Sequence, residues 1–394
     1  MQSVDQSPPT VQQTRRYDLD WLRSAAFGLL ILSHVGMYYN AGWWFVKSPA
    51  ATPAIEPFMS LALSWRLMLL FVISGAATAF LLTRSHRGFL WDRSRRLLVP
   101  VVFAVVFIIP PQMYYAAVEQ AGYTGGYLEF WGDYLRVARG LCTPVDCFDA
   151  PTWSHLWFVA YLWFYTILIW AAATWRPERV DWARRMLVRG MRGAGVLLWP
   201  ILLLVVLRLL LRDRYPPNMS FIGDWYRHAI FLSACAFGFL VARERVVWQD
   251  LQETRWLALA FWIPTGLLLA WQAMPNLAAP LASGALRPIY HVTYAINQWS
   301  GVAALLGFAS LADWGDSRAR RYITEAIFPF YIVHQTAIVV LSQKLKPWAL
   351  PTGLEALVLI IGTLATCVVC FELVRRVAWL RPMFGLRRLG AARP

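Results

Sequence analysis

The chain has 394 residues, of which 58% are hydrophobic and only 15% charged, with a formal net charge of +15. Soluble domains are nearer half apolar and about a quarter charged, so the composition excludes an ordinary soluble enzyme and predicts a polytopic membrane protein. A nucleic-acid partner is not indicated either, because the basic residues fall in short loops between apolar stretches, the positive-inside pattern.

Residues 1–14 are polar, show no cleavable signal pattern and read as a disordered tail. Ten apolar stretches of membrane-spanning character follow, at about 21–40, 58–83, 97–117, 153–175, 194–211, 226–242, 256–273, 289–312, 326–343 and 354–374. The expected fold is therefore all-α, a single bundle of about ten transmembrane helices over residues 15–378. A basic tail, 379–394, closes the chain. No internal repeat is visible. With the N-terminal side taken as inside, inside segments hold 25 Lys and Arg against 9 outside, and Arg23, Arg66 and Arg208 lie within spans. This bias predicts both termini in the cytoplasm.

The first span, from Arg16 to Tyr39, carries Arg23 and His34 eleven residues apart. On a helix they lie about 20° apart, on one face, separated by roughly 16 Å. Asp20 sits one turn before Arg23 and can pair with it. Arg23 is near enough to a surface to snorkel, but His34 is too deep, and an imidazole there faces a protein interior or a water-filled cavity. Arg66, within the second span, needs a partner for the same reason. The run Arg93-Ser94-Arg95-Arg96 belongs to the inner side, where it serves either the positive-inside bias or phosphate binding.

His155 opens the fourth span within Trp153-Ser154-His155-Leu156-Trp157-Phe158, and suits an interfacial cap as well as catalysis. Asp224 and His228 open the sixth span and could form a helix-start pair; His291 lies near the start of the eighth. His334, in Tyr331-Ile332-Val333-His334, is placed in the inner half, as a packed core histidine or one facing a thioester. Two polar layers on opposite sides of one bundle suggest a reaction joining two compartments. His86 falls in a basic loop. Cys142 and Cys147 fall in a loop placed outside, where the alternatives are a disulfide and two reduced thiols. Cys235, Cys367 and Cys370 read as packing residues, nothing suggests a metal site, and no Walker loop or dinucleotide fingerprint occurs.

In their order along the chain these residues resemble the bacterial integral-membrane acyltransferase family 3, from Tyr17 to the tenth span. Arg23 and His34 match the family's Arg, ten residues, His in the first helix, with Asp20 three residues before the Arg. Arg93 and Arg96 match its Arg-x-x-Arg, and Phe71-Val72-Ile73-Ser74-Gly75 its Ser-Gly motif. His155 to Phe158 match His-Leu-Trp-Phe, and Tyr331 with His334 a late Tyr-x-x-His. Ser64-Trp65-Arg66 and Tyr215-Pro216-Pro217 look like the branch that succinylates periplasmic glucans.

The resemblance implies acyl transfer at the bacterial inner membrane. The donor would be cytoplasmic acetyl-CoA or succinyl-CoA, and the acceptor a hydroxyl of an extracytoplasmic glycan or glycolipid. It implies catalytic roles for His34, as base or acyl carrier, and for Arg23, Asp20 and Arg66. It assigns Arg93, Arg96 and His334 to the donor, and His155 and Trp157 to the acceptor. The competing class is a secondary transporter or flippase, which buried cations in ten spans would also suit.

Overall fold

In a computed structural model the structure describes residues 16–84, 88–136, 151–274, 284–312 and 315–388. Cys142, Cys147 and His86 lie outside the described residues. Among the described residues every regular element is helical. The α-helices are α1 (Tyr17–Tyr39), α2 (Glu56–Leu63), α3 (Arg66–Arg84), α4 (Phe89–Phe107), α5 (Pro110–Ala121), α6 (Tyr127–Leu135), α7 (Trp157–Trp175) and α8 (Pro177–Gly190). They continue as α9 (Gly195–Leu211), α10 (Trp225–Val241), α11 (Arg245–Glu253), α12 (Arg255–Gln272), α13 (Arg287–Ala309), α14 (Arg318–Leu345), α15 (Thr352–Arg376) and α16 (Leu380–Met383).

Each of the ten expected stretches is helical, but not each is one unbroken helix. The stretch 58–83 breaks at Ser64-Trp65, where the Ser64 hydroxyl donates to Asn297 Oδ1 at 2.5 Å. The stretch 97–117 breaks before Pro110, which has no N–H to continue a helix and stands at the first position of α5. Among the described residues, length and composition alone pick out five segments able to cross a membrane: Pro53–Leu82, Phe89–Ala121, Ser154–Trp175, Arg318–Trp348 and Thr352–Arg376. The count is six if α8 and α9, bent by 112°, form one broken span. Helix α1 is long enough but carries Asp18, Asp20, Arg23 and His34, which lower its apolarity.

Two hydrophobic clusters build the bundle. One joins α3, α7, α9, α10, α11 and α13. The other joins α1, α4, α5, α6, α14 and α15. Within the first, α3 and α10 touch backbone to backbone. A Cβ on Gly75 would lie 1.9 Å from the Cys235 carbonyl oxygen, and one on Gly238 1.9 Å from that of Val72. The Ser-Gly motif thus has a packing reason: only a residue without a Cβ admits this approach.

In the second cluster α1 packs on α14. The starts of these two helices are tied together, with Arg320 donating to Asp20 at 2.7 Å and its guanidinium 4.2 Å from the Tyr17 ring centroid. Arg320 also bonds Asp316, and that contact holds the Asp316 carboxyl below its usual range. Of the stretch 379–394, expected as a tail, residues 379–388 fold back: α16 packs on α4 and α15, and Phe384 and Leu386 are buried.

Candidate active site

A cavity of about 2700 Å³ lies between the two clusters. It is lined by Arg16 before α1 and by Asn40 after it, so it runs the length of that helix, roughly 35 Å. One end carries arginines: Arg23 from α1, Arg93 and Arg96 from α4, and Arg387 and Arg388 from the folded-back chain. The opposite end carries Trp43, Trp153 and the 218–220 loop. His34 lines the wall between them.

Asp20 is fourteen residues before His34, and Arg320 fourteen before His334. Because Asp20 and Arg320 are paired, an equal rise of about 21 Å along parallel helices brings the two histidines side by side. His34 Nδ1 lies 2.7 Å from His334 Nε2. This corrects the expectation of two layers with His334 in the inner half. The apolar pattern starts this span at 326, whereas α14 begins at Arg318 and places His334 well within it.

The backbone decides the tautomers. His334 Nδ1 faces the carbonyls of Tyr331 at 2.8 Å and Phe330 at 3.3 Å, so it must carry the hydrogen. Its Nε2 is then an acceptor, and His34 Nδ1 donates to it. That leaves the lone pair of His34 on Nε2. The Trp44 ring stacks on His34 with centroids 5.3 Å apart. His334 is fully buried and is not part of the cavity wall, so its expected contact with the donor is not what the geometry provides. It stands behind His34.

His155 joins the same cluster, its ring 5.2 Å from that of His334. It occupies a 3-10 turn, Ser154–Leu156, and its Nε2 donates to the carbonyls of Tyr331 at 3.0 Å and Ile332 at 3.2 Å. The Tyr331 hydroxyl returns a bond to the His155 carbonyl. The turn is anchored by a network that the sequence did not signal. Gln335 Nε2 donates to Gln112 Oε1 at 2.8 Å and to Ser154 Oγ at 2.9 Å, and Ser154 Oγ donates to Gln112 Oε1 at 3.0 Å.

Arg66 opens α3 and donates to the Leu29 carbonyl at 3.2 Å and to the Ser33 hydroxyl, next to His34. Its buried Nε has no partner among the described residues. Asp20 is 3.5 Å from Arg23, a looser contact than its pair with Arg320. The sequence hid Arg320, because in Arg318-Ala319-Arg320-Arg321 it looks like one more loop cation. Arg93 Nε is buried without a partner among the described residues, and Arg96 Nε donates to the Gly385 carbonyl at 3.2 Å.

Trp157 lines the cavity with the Arg227 guanidinium 5.1 Å from its ring centroid. Asp224 and His228 do not pair through their side chains: Asp224 takes the Tyr161 hydroxyl at 2.8 Å, and His228 meets Tyr165 and the Phe221 carbonyl. Arg208 donates to Tyr226 at 2.6 Å and to His291 at 3.3 Å, and neither Arg208 nor His291 lines the cavity.

A sequence model of one family, described as an acyltransferase domain, matches residues 16–372. Glucans biosynthesis protein C of Escherichia coli strain K12 is 28% identical over 156 residues, 39% of this chain and 37% of that protein. The protein of the same name from Shigella boydii serotype 4 strain Sb227 matches with the same figures. The match thus spans little more than a third of the length of these relatives. No solved structure matches the chain.

Proposed function

The chain belongs to this acyltransferase family, and from that premise we propose that it is a membrane-bound O-acyltransferase acting across the bacterial inner membrane. The acyl group, acetyl or succinyl, comes from cytoplasmic acyl-CoA and passes to a hydroxyl of an extracytoplasmic glycan or glycolipid. The reading takes ten crossings with both termini cytoplasmic, supported by the ten helical stretches and by the arginine bias of the loops. A carbohydrate acceptor is supported by the printed name of the relatives, which are glucan biosynthesis proteins.

The observation that carries the reading is His34, its Nε2 lone pair set by His334, on the wall of a cavity with arginines at one end. His34 Nε2 takes the proton of the acceptor hydroxyl as that oxygen attacks the thioester carbonyl. The oxygen–acyl bond forms, the carbon–sulfur bond breaks, and His34 returns the proton to the leaving thiolate. As His34 becomes cationic, its Nδ1–H···Nε2 bond to neutral His334 strengthens. Arg66, anchored beside Ser33, supplies positive charge where the carbonyl oxygen becomes negative. Asp20 and Arg23 line the arginine end of the cavity, with Asp20 holding α14 in place through Arg320. Arg93 and Arg96 bind phosphate groups of the donor, for which forked guanidinium donors are suited. His155 and Trp157 shape the acceptor side.

Purified protein in lipid discs, given an acyl-CoA and a glycan extract, should release free thiol and add the acyl mass to the glycan. Sugar flux through reconstituted vesicles with no thiol release would overturn the reading in favour of a secondary transporter or flippase.

A further inference from the structure

The family match ends at residue 372, yet the chain beyond it returns to the arginine end of the cavity. This return is anchored at several points. Phe384 and Leu386 are buried in the second cluster, at 4% and 8% exposure. Gly385 adopts φ +71°, and a Cβ there would lie 2.4 Å from the Phe328 ring. Its carbonyl accepts from Arg96 Nε. Arg381 bonds the carbonyls of Arg375 at 2.7 Å and Arg387 at 2.5 Å, and pairs with Glu325 at 3.3 Å. Arg387 and Arg388 are thereby set on the cavity wall, exposed and without a carboxylate partner among the described residues. Glu325, the acidic residue beside them, is already engaged by Arg381. Two more guanidiniums added to those of Arg93 and Arg96 leave this end strongly unbalanced, and such a lining fits a ligand with several phosphates.

We propose that residues 381–388 form a second phosphate-binding arm, in which Arg387 and Arg388 hold the phosphorylated nucleotide end of the donor. The proposal rests on the donor reading above and names a part of the site that the family match does not include. The arm packs against α4, where Arg96 bonds the Gly385 carbonyl, so its two guanidiniums extend the arginine lining that α4 begins. The competing source of phosphate at this surface is a lipid headgroup.

The test compares coenzyme A with phosphopantetheine, which lacks the nucleotide, by equilibrium binding to the full chain in neutral-lipid discs. Arg387→Ala with Arg388→Ala should lower coenzyme A affinity by about tenfold or more and leave phosphopantetheine binding unchanged. Gly385→Ala, which keeps both arginines but displaces the arm, should show the same selective loss. Equal loss for both ligands, or no loss for coenzyme A, would overturn the proposal. Discs containing phosphatidylglycerol separate the sources. If the double variant loses retained anionic lipid while coenzyme A affinity holds, the arm binds headgroups and the proposal fails. Wild-type protein that binds neither ligand would remove the donor reading itself, an outcome distinct from a loss confined to the variants.

Discussion

A histidine acts as a base only through a nitrogen that carries a lone pair, and here two backbone carbonyls settle which nitrogen that is. The Tyr331 and Phe330 carbonyls fix His334, and His334 fixes His34. His34→Ala should lower acyl transfer by about 10²–10⁴-fold in a protein that still folds and inserts. His334→Ala should lower turnover by on the order of 10²-fold with KM for the donor nearly unchanged, because it orients the base and does not line the cavity. The two losses should not add: the double variant should turn over no more slowly than His34→Ala alone. An additive double loss, measured by thiol release, would mean that His334 acts independently of His34.

The starts of α1 and α14 are tied by the Arg320–Asp20 pair, and α3 and α10 approach through the absence of two side chains. Arg320 is only 2% exposed and carries both Asp20 and Asp316. Replacing it leaves Asp20 without its 2.7 Å partner, so Arg320→Ala should destabilise the protein by roughly 3 kcal/mol. The same change should reduce turnover, since the fourteen-residue registers from Asp20 and Arg320 to the histidines depend on that tie. Thermal unfolding in detergent checks the first effect, and an unshifted transition would show that the tie is dispensable. Gly238→Ala should destabilise by roughly 1–3 kcal/mol, because the added carbon meets the Val72 carbonyl and only a backbone shift relieves it. Wild-type stability in Gly238→Ala would show that α3 and α10 separate freely.

At the scale of the whole molecule, one cavity joins an arginine-rich end to an end of tryptophan and loop residues. The direction of the reaction depends on which end faces the cytoplasm. Arg93→Ala with Arg96→Ala should weaken acyl-CoA binding, and wild-type affinity should fall as salt rises, because the contacts are between opposite charges. Unchanged affinity in that variant would return both arginines to a purely topological role. Single cysteines placed by Trp43→Cys and Arg388→Cys should label from opposite sides of sealed vesicles with a membrane-impermeant reagent. Trp43→Cys should react in intact cells, and Arg388→Cys only once the inner face is opened. The reverse pattern would exchange donor and acceptor sides.

The sequence by itself determined that the chain is a helical membrane protein, and the shared face of Arg23 and His34. These features are local: a window of apolar residues fixes a helix, and 100° per residue fixes its face. The tertiary structure decided that His34 meets His334, that Asp20 pairs with Arg320, and that residues 385–388 line the cavity. Each of these joins residues hundreds of positions apart or depends on where a helix starts. Periodicity cannot report a neighbouring helix, and it placed the start of α14 eight residues late because Arg318, Arg320 and Arg321 look like loop cations. A cation that orients a loop and one buried against a carboxylate are the same letter. Only packing, which removes one from water and leaves the other in it, tells them apart.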